Sequence, residues 1–243
     1  MLIFSRKIPL YEFFPKEFVD IHSHLLPGID DGAKSMEESL DLIQGLIQMG
    51  FTRLITTPHI YGSVWPNTPE IIRSKAILLQ EEIQSRKLPV SLSFAAEYML
   101  DEKFMQYLDT SSLLTIKNKY VLIEFPNFQA PLQLHEILFR LNSMGYEPIL
   151  AHPERYTYFE NVINNIEELK EIGCLFQLNL LSLAKHYGTN VYETAIKLLK
   201  AGVIDFVGTD VHRKYHLDTL KKITSKKHLK LLETPFKNNF NLW

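Results

Sequence analysis

The chain has 243 residues, 46% of them hydrophobic, so it is long enough to bury a large core, and a single α/β domain is favoured. Its formal net charge is -2, with acids and bases well mixed along the chain. This balance gives no electrostatic reason to expect a nucleic-acid or membrane partner. Any anionic substrate must therefore be held by local groups.

Cysteine usage and the N-terminus indicate where the protein acts. Cys174 is the single cysteine, so no intrachain disulfide can form, and its apolar run CLFQLNL predicts a packed residue rather than a nucleophile. The apolar start of the chain is too short for a signal peptide, and no run approaches the roughly 18 apolar residues of a membrane span. We expect a soluble, cytoplasmic protein in which residues 1–17 are an extension of a domain of residues 18–243.

Short apolar runs rich in β-forming residues alternate with helical patterns along the chain. The runs are, in order, VDI, RLITT, SLSFAA, YVLIEF, PILA, CLFQLNL and IDFVGT. Segments of helical spacing follow them, and their starts are marked by Ser35 with Glu38 and by Thr68 with Pro69. Seven strands that each precede a helical segment predict a parallel sheet built from βαβ units. The C-terminal tail is poorly periodic, and we expect it to lie over the barrel surface.

Side chains that can bind metals fall where the predicted strands end. In a closed α/β barrel the carboxyl ends of the strands share one face, where active sites are built. Because side chains alternate along a strand, two candidates separated by one residue point the same way. An aspartate of the turn Asp30-Asp31-Gly32 can reach the same face, and the pattern alone does not choose between the two. The other candidates are His22, His24, His59, Glu97, Glu124, His152, Asp210 and His212.

Each of these residues taken alone is more often a hydrogen-bonded structural side chain than a ligand. Gathered at one rim, however, they would be costly to bury without cations to compensate them. Nine groups exceed the need of one tetrahedral zinc ion and suit two or three ions. Nitrogen and oxygen ligands accept Mn²⁺, Zn²⁺ or Fe, and metals that share a site favour hydrolysis. We expect His135, His186 and His228 at the surface, and the pattern leaves His216 open.

Six motifs together resemble a known superfamily. They are DIHSHLLPGIDDG, TTPH, AAE, IEFP, AHPERY and GTDVH, spread between about residue 18 and residue 215. In this order they resemble the PHP (polymerase and histidinol phosphatase) superfamily, and within it the manganese-dependent protein-tyrosine phosphatases of the bacterial CpsB/CapC type. The resemblance implies a distorted (β/α)₇ TIM-like barrel that hydrolyses phosphotyrosine by attack of a metal-activated hydroxide. It also implies a substrate such as a bacterial tyrosine kinase, and a role in capsule or exopolysaccharide regulation.

The resemblance also assigns the ligands, with Mn²⁺ as the expected metal and up to three ions. It implies one ion held by His22, His24, Glu97 and Asp210, with Glu97 bridging to a second ion completed by Glu124 and His152. Asp31, His59 and His212 would hold the third, so that the resemblance favours Asp31 over Asp30.

The same resemblance marks Arg155 of HPERY as the phosphate-binding arginine, whose planar fork suits two phosphate oxygens. A salt bridge with Glu154 is the structural alternative. Arg213 or Lys214 is a candidate for the family's second basic residue, at a different spacing. The general acid is unassigned, with a metal-bound water or His216 as the candidates.

The loop of residues 60–69 follows His59 and carries two aromatic residues, Tyr61 and Trp65. They are candidates to line the pocket for a phosphotyrosine ring, and packing under the loop is the alternative.

Three other functions remain to be compared with this hypothesis. A small-molecule phosphomonoesterase such as histidinol phosphatase belongs to the same superfamily. Amidohydrolases also begin with a His-x-His strand, but that assignment requires a histidine after strand six, where this chain has Asn179. A non-catalytic metal-stabilised binding module would be expected to lack ligands, and none is missing.

Overall fold

The computed structural model describes residues 8–110, 113–224 and 226–243. Short strands alternate with helices in this part of the chain. The strands are β1 (Val19–Asp20), β2 (Arg53–Thr56), β3 (His59–Ile60), β4 (Ser91–Phe94), β5 (Glu97–Met99), β6 (Tyr120–Glu124), β7 (Glu147–Ala151), β8 (Leu175–Asn179) and β9 (Phe206–Gly208). The α-helices are α1 (Met36–Gln48), α2 (Pro69–Ser85), α3 (Phe104–Thr110), α4 (Leu134–Ser143), α5 (Val162–Glu171), α6 (Thr189–Ala201), α7 (Lys214–Leu220) and α8 (Lys226–Phe240).

The strands form two parallel sheets whose order follows the chain. One sheet has the order β1-β2-β4, and the other has the order β3-β5-β6-β7-β8-β9. β2 and β4 lie within the second and third predicted strands, whereas β3 and β5 are short strands that follow just beyond their predicted ends. The seven predicted strand positions and their parallel pairing are confirmed. Pro58 separates β2 from β3, and a proline has no N–H to donate to a strand ladder.

The last strand returns beside the first and so closes the ring of strands. The Asp210 N–H donates to the His22 carbonyl at 2.7 Å, and the His24 N–H donates to the Val211 carbonyl at 3.0 Å. Ser23 and Val211 also form a parallel β-bridge between these two segments. The fold is therefore an α/β, TIM-like barrel, distorted by the two strand breaks.

Two apolar clusters fill the space on either side of the strands. A smaller cluster contains Val19, Ile55, Leu122 and Ile149, and a larger one contains the strand residues that alternate with them together with the helix faces. Because the helices cover the outside of the ring, the larger cluster lies between strands and helices. Side chains of a strand alternate between its two faces, so the smaller cluster occupies the inside of the ring. It fills the barrel interior below the residues at the carboxyl ends of the strands.

Helix caps agree with the sequence expectation. The Ser35 hydroxyl accepts from the Glu38 N–H at 3.3 Å, and Thr68 caps α2 with Pro69 as its first residue. These side chains satisfy N–H groups that have no partner within the helix.

Both ends of the described part of the chain pack on the barrel, and residues 1–7 of the predicted extension lie outside it. Residues Leu10–Phe13 form a 3₁₀ turn, and the buried Leu10 donates its N–H to the Ile223 carbonyl at 2.6 Å. The C-terminal tail lies over the barrel, as expected, but it does so as the helix α8, which contacts β1 and β9 and buries Leu232, Phe236 and Asn239. Within the described ranges, no helix combines the length and the apolar character needed to cross a membrane.

Candidate metal centre

The nine predicted ligands come together at the carboxyl end of the barrel. A cavity of about 320 Å³ opens there. His22 and His24 are fully buried against Glu97 and Asp210. The cavity is lined by Asp31, His59, Glu97, Glu124, His152, Arg155, His186, Tyr187, Asp210, His212, Arg213, Tyr215 and His216.

His22, His24 and Asp210 form a compact triangle of ligand atoms. The two imidazole Nε2 atoms are 3.3 Å apart, and each lies 3.4 Å from Asp210 Oδ1. Two ligands about 2.1 Å from one ion at a tetrahedral angle would be about 3.4 Å apart. The triangle therefore has the size of one face of a metal coordination shell.

Glu97 links this triangle to two further groups. Its Oε2 lies 3.2 Å from His22 Nε2 and 3.1 Å from His59 Nδ1, and its Oε1 lies 3.1 Å from His152 Nε2. The structure thus gathers His22, Glu97 and His152 in one group and His59, Glu97 and Glu124 in another. A carboxylate shared between groups is suited to bridging two cations.

A fourth group lies at the outer rim. It contains His24, Asp31, His59 and His212. Asp31 Oδ1 is 3.5 Å from His59 Nε2 and 3.4 Å from His212 Nε2, and the Asp31 side chain is 50% exposed. This group has the three residues expected at a third ion, with His24 added.

Hydrogen bonds behind the two buried histidines orient their rings. His22 Nδ1 lies 2.8 Å from Gln177 Oε1, and His24 Nδ1 lies 2.8 Å from Asp30 Oδ2. Because an amide oxygen or a carboxylate only accepts, both Nδ1 atoms donate, and the Nε2 atoms face the cluster. Asp30 is thus the residue that orients His24, while Asp31 faces the cavity.

Several buried ligand atoms lack a hydrogen-bond partner. Asp31 Oδ1, His59 Nδ1 and Glu97 Oε2 are in this state. His59 Nδ1 and Glu97 Oε2 are 3.1 Å apart without the geometry of a hydrogen bond. Buried polar atoms are rarely left unpaired, so these atoms fit cations as their missing partners.

The charges of the cluster perturb one another strongly. Burial alone would lower the pKa of His22, but the carboxylates of Glu97 and Asp210 outweigh it and raise this pKa to about 9. Burial, and then the charge of Glu97, raises the pKa of Glu124 to about 7. Burial, and then Arg155, lowers the pKa of His152 to about 4. Such opposed shifts among neighbours are typical of functional sites.

Two candidate ligands have an unusual backbone conformation. His152 has φ 35° and Asp210 has φ 50°, in the left-handed region that side chains other than glycine rarely adopt. Strain of this kind persists where the surrounding structure imposes it, most often at functional sites. Gly208 adds a packing constraint, because a Cβ there would lie 2.6 Å from the His22 Cβ.

Arg155 lies at the rim beside the cluster. Its Nη1 is 3.3 Å from Asp210 Oδ2, and its guanidinium lies 4.7 Å from the centre of the Tyr187 ring. Glu154 does not form the alternative salt bridge, because its buried carboxylate instead accepts from the Asn179 N–H at 3.0 Å and the Ser182 hydroxyl at 2.7 Å. The Arg155 side chain is 27% exposed, so its free N–H groups can reach an anion in the cavity.

Comparisons with known proteins show which proteins the chain is similar to. The family model for capsular polysaccharide synthesis, CpsB/CapC, matches residues 18–231. The chain is 30% identical over 203 residues to the tyrosine-protein phosphatase YwqE of Bacillus subtilis (strain 168), covering 82% of this chain and 80% of that protein. It is 28% identical over 200 residues to the tyrosine-protein phosphatase CpsB of Streptococcus agalactiae, covering 80% of this chain and 82% of that protein.

A solved structure is similar over nearly the whole chain. It comes from the work on YwqE from Bacillus subtilis and CpsB from Streptococcus pneumoniae, which are described as unique metal-dependent tyrosine phosphatases. The TM-score is 0.78 at 29% identity, covering 92% of this chain and 90% of that one. The chain belongs to the CpsB/CapC family. The resemblance read from the six motifs is thereby confirmed.

The remaining sequence predictions for this CpsB/CapC family member have different outcomes. Tyr61 and Trp65 do not line the cavity; their backbones pair with each other across the loop. His186 is not a free surface residue, since it lines the cavity, and His228 is buried. His135 is exposed, as expected.

The structure also places the residues that the sequence left open. His216 Nδ1 accepts from the His212 N–H at 3.1 Å, and burial, then the charge of His212, lowers the His216 pKa to about 4. A ring that is neutral at pH 7 is a poor general acid. Arg213 lines the cavity and donates to the Gly32 carbonyl at 3.0 Å, whereas Lys214 is not among the residues that line it.

Sequence reasoning missed the polar residues that support the ligands. Gln177 orients His22, and Asn179 donates to Asp210 Oδ2 at 2.7 Å. Both are fully buried and stand at alternate positions of β8. Two amides on the same face of an otherwise apolar strand were the available signal.

Proposed function

We propose that this CpsB/CapC family member is a metal-dependent protein-tyrosine phosphatase. The observation that carries the proposal is the set of imidazole and carboxylate groups that share Glu97, with the Arg155 guanidinium at their rim. We assign as metal ligands His22, His24, Asp31, His59, Glu97, Glu124, His152, Asp210 and His212. Nitrogen and oxygen donors without a thiolate accept Mn²⁺, Zn²⁺ or Fe, and the resemblance to manganese-dependent phosphatases favours Mn²⁺.

When bound, the ions supply Lewis acidity that activates water for hydrolysis and stabilises charge on phosphorus oxygens. Gln177 and Asp30 hold the two buried imidazoles with their Nε2 atoms toward the ions. Arg155 binds the phosphate oxygens and stabilises the charge that grows on them in the transition state. Asp210 fixes the guanidinium from one side and the Tyr187 ring supports it from another.

No thiol takes part in this chemistry. Cys174 is buried, and burial raises the pKa of its thiol to about 12. A thiol that stays protonated at neutral pH is not a nucleophile.

The physiological substrate follows from the same proposal. We infer that the chain dephosphorylates a tyrosine kinase or a related protein of the same bacterium, in the control of capsule or exopolysaccharide synthesis. We also propose that it acts in the cytoplasm as a domain of residues 18–243 with residues 1–17 as an extension. The single cysteine supports the location.

The test is a phosphatase assay on protein stripped by chelator and reloaded with Mn²⁺ or Zn²⁺. We expect hydrolysis of a phosphotyrosine peptide that requires the added metal and far exceeds hydrolysis of histidinol phosphate. Arg155→Met should lower kcat/KM by about 10²- to 10³-fold, as expected for removal of a group that stabilises transition-state charge. Arg86→Met is the matched control, because Arg86 pairs with Glu37 on the exposed surface.

Preferential hydrolysis of histidinol phosphate would favour the small-molecule alternative. Unchanged turnover in Arg155→Met would remove the assigned role of that residue.

A further inference from the structure

One side of the cavity is formed by rings that take no part in the proposed metal shell. His186 and Tyr187 follow the 3₁₀ turn Leu180–Ala184 after β8, and Tyr215 and His216 lie in the first turn of α7. We refer to these four residues as the aromatic wall. The pair His186 and Tyr187 is far in sequence from the pair Tyr215 and His216, and the two pairs meet only in the folded barrel.

The aromatic wall runs without a break from the ligand His212 to Arg155. The ring centres of His212 and His216 are 5.8 Å apart, those of His216 and His186 are 4.9 Å apart, and those of His186 and Tyr187 are 4.7 Å apart. The Tyr187 ring then lies 4.7 Å from the Arg155 guanidinium. The wall therefore connects the outer group of candidate ligands with the phosphate-binding arginine.

The two inner members of the wall are held in place by polar contacts. The Tyr187 hydroxyl accepts from Asn179 Nδ2 at 3.0 Å, and His216 accepts from the His212 N–H at 3.1 Å. These bonds fix the rings before any ligand arrives. Prearranged contact surfaces lower the entropic cost of binding.

The two outer members present ring surface at the cavity mouth. Tyr215 is 56% exposed, and its ring stacks with that of His186 at 5.8 Å between centres and 27° between planes. His186 is half-buried and, like Tyr215, lines the cavity, so the pair keeps ring surface accessible there. Exposed aromatic surface of this kind can bind another ring in a stacked or edge-on arrangement.

The rest of the cavity lining offers no comparable surface. Apart from the aromatic wall, the lining residues are carboxylates, candidate ligand histidines and the two arginines. A phosphate held by metals and Arg155 would place its organic substituent among these groups, and only the wall can bury an apolar ring. We propose that the aromatic wall is the binding site for the phenyl ring of phosphotyrosine, with Tyr215 and His186 as its specificity-determining residues.

This inference rests on the proposed function, but an equilibrium binding experiment tests it separately from turnover. Metal-loaded protein is titrated calorimetrically with benzylphosphonate, with ethylphosphonate and with inorganic phosphate. We expect benzylphosphonate to bind more tightly than ethylphosphonate. Tyr215→Ala and His186→Ala should each weaken benzylphosphonate about 3- to 10-fold, the range of one aromatic contact. Both variants should leave the Kd of phosphate and of ethylphosphonate unchanged.

Two further variants separate ring contact from general disturbance. Tyr215→Phe keeps the ring and should retain the wild-type preference for benzylphosphonate. Tyr61→Ala is the matched control. Tyr61 lies on the loop of residues 60–69, which the sequence suggested as an alternative binding site for the ring, and it does not line the cavity.

Three results would overturn the inference. They are an equal affinity of the wild type for the two phosphonates, an unchanged ratio in Tyr215→Ala and His186→Ala, and a loss of preference in Tyr61→Ala alone. Tight, wall-dependent binding of benzylphosphonate without hydrolysis of the phosphotyrosine peptide would instead refute the proposed function and leave the ring site in place.

Discussion

The seam between β1 and β9 offers a sharp test of how the barrel holds its metal ligands. The Asn239 amide from α8 lies between the two strands and is fully buried. Its Nδ2 donates to the Val19 carbonyl at 2.9 Å and to the Val207 carbonyl at 2.7 Å, and its Oδ1 accepts from the Val207 N–H at 3.0 Å. One side chain thus joins both strands below the backbone contacts that close the ring.

Asn239→Ala removes all three hydrogen bonds and deprives buried backbone groups of Val19 and Val207 of these partners. A hydrogen bond contributes about 1 kcal/mol net, and an unsatisfied buried group costs about 1–3 kcal/mol. We expect the free energy of unfolding to fall by about 3–4 kcal/mol. Asn238→Ala is the matched control, because Asn238 is half-buried and donates one hydrogen bond, to the Asp205 carbonyl at 2.9 Å. It should cost about 1 kcal/mol or less.

The assay is urea unfolding of both metal-free variants, followed by far-UV circular dichroism at one protein concentration. Equal destabilisation by Asn239→Ala and Asn238→Ala would refute the reasoning. Since β1 leads to His22 and β9 leads to Asp210, Asn239→Ala should also weaken metal binding, and Asn238→Ala should not.

Three more predictions concern the metal cluster and the single thiol. Glu97→Gln should lower the number of bound metal ions and reduce turnover at least about 10²-fold, because an amide is a weaker bridge than a carboxylate; elemental analysis showing full metal content would contradict this. Metal binding at pH 7.5 should release protons, because the carboxylates of Glu97 and Asp210 outweigh burial and raise the pKa of His22 to about 9. Proton release should fade as the pH rises through 9. Calorimetry in buffers of different ionisation enthalpy measures the number of protons released. Metal binding without proton release would refute the assigned protonation of His22. Cys174→Ala should leave turnover unchanged, and its inactivation despite a native fold would point to thiol chemistry.

The sequence by itself determined the order of strands and helices and the location of the candidate ligands. Both are local properties: apolar periodicity defines each strand, and a polar residue at its end marks the rim of the barrel. The spacing of His22 and His24 fixed their common direction in the same way. Both strand breaks escaped this reasoning, although the missing N–H of Pro58 was an available signal for one of them. In α8, the buried positions Leu232, Phe236 and Asn239 follow a helical spacing, but Pro235 within the helix obscured it.

Only the tertiary structure decided which neighbours each ligand has. Asp30 and Asp31 are adjacent in sequence, yet one orients His24 from behind and the other faces the cavity, because the turn directs them to opposite sides. The aromatic wall and the Asn239 link across the seam likewise join residues distant in the chain. Contacts of this kind depend on how the barrel closes, and the periodicity of a single segment carries no information about them.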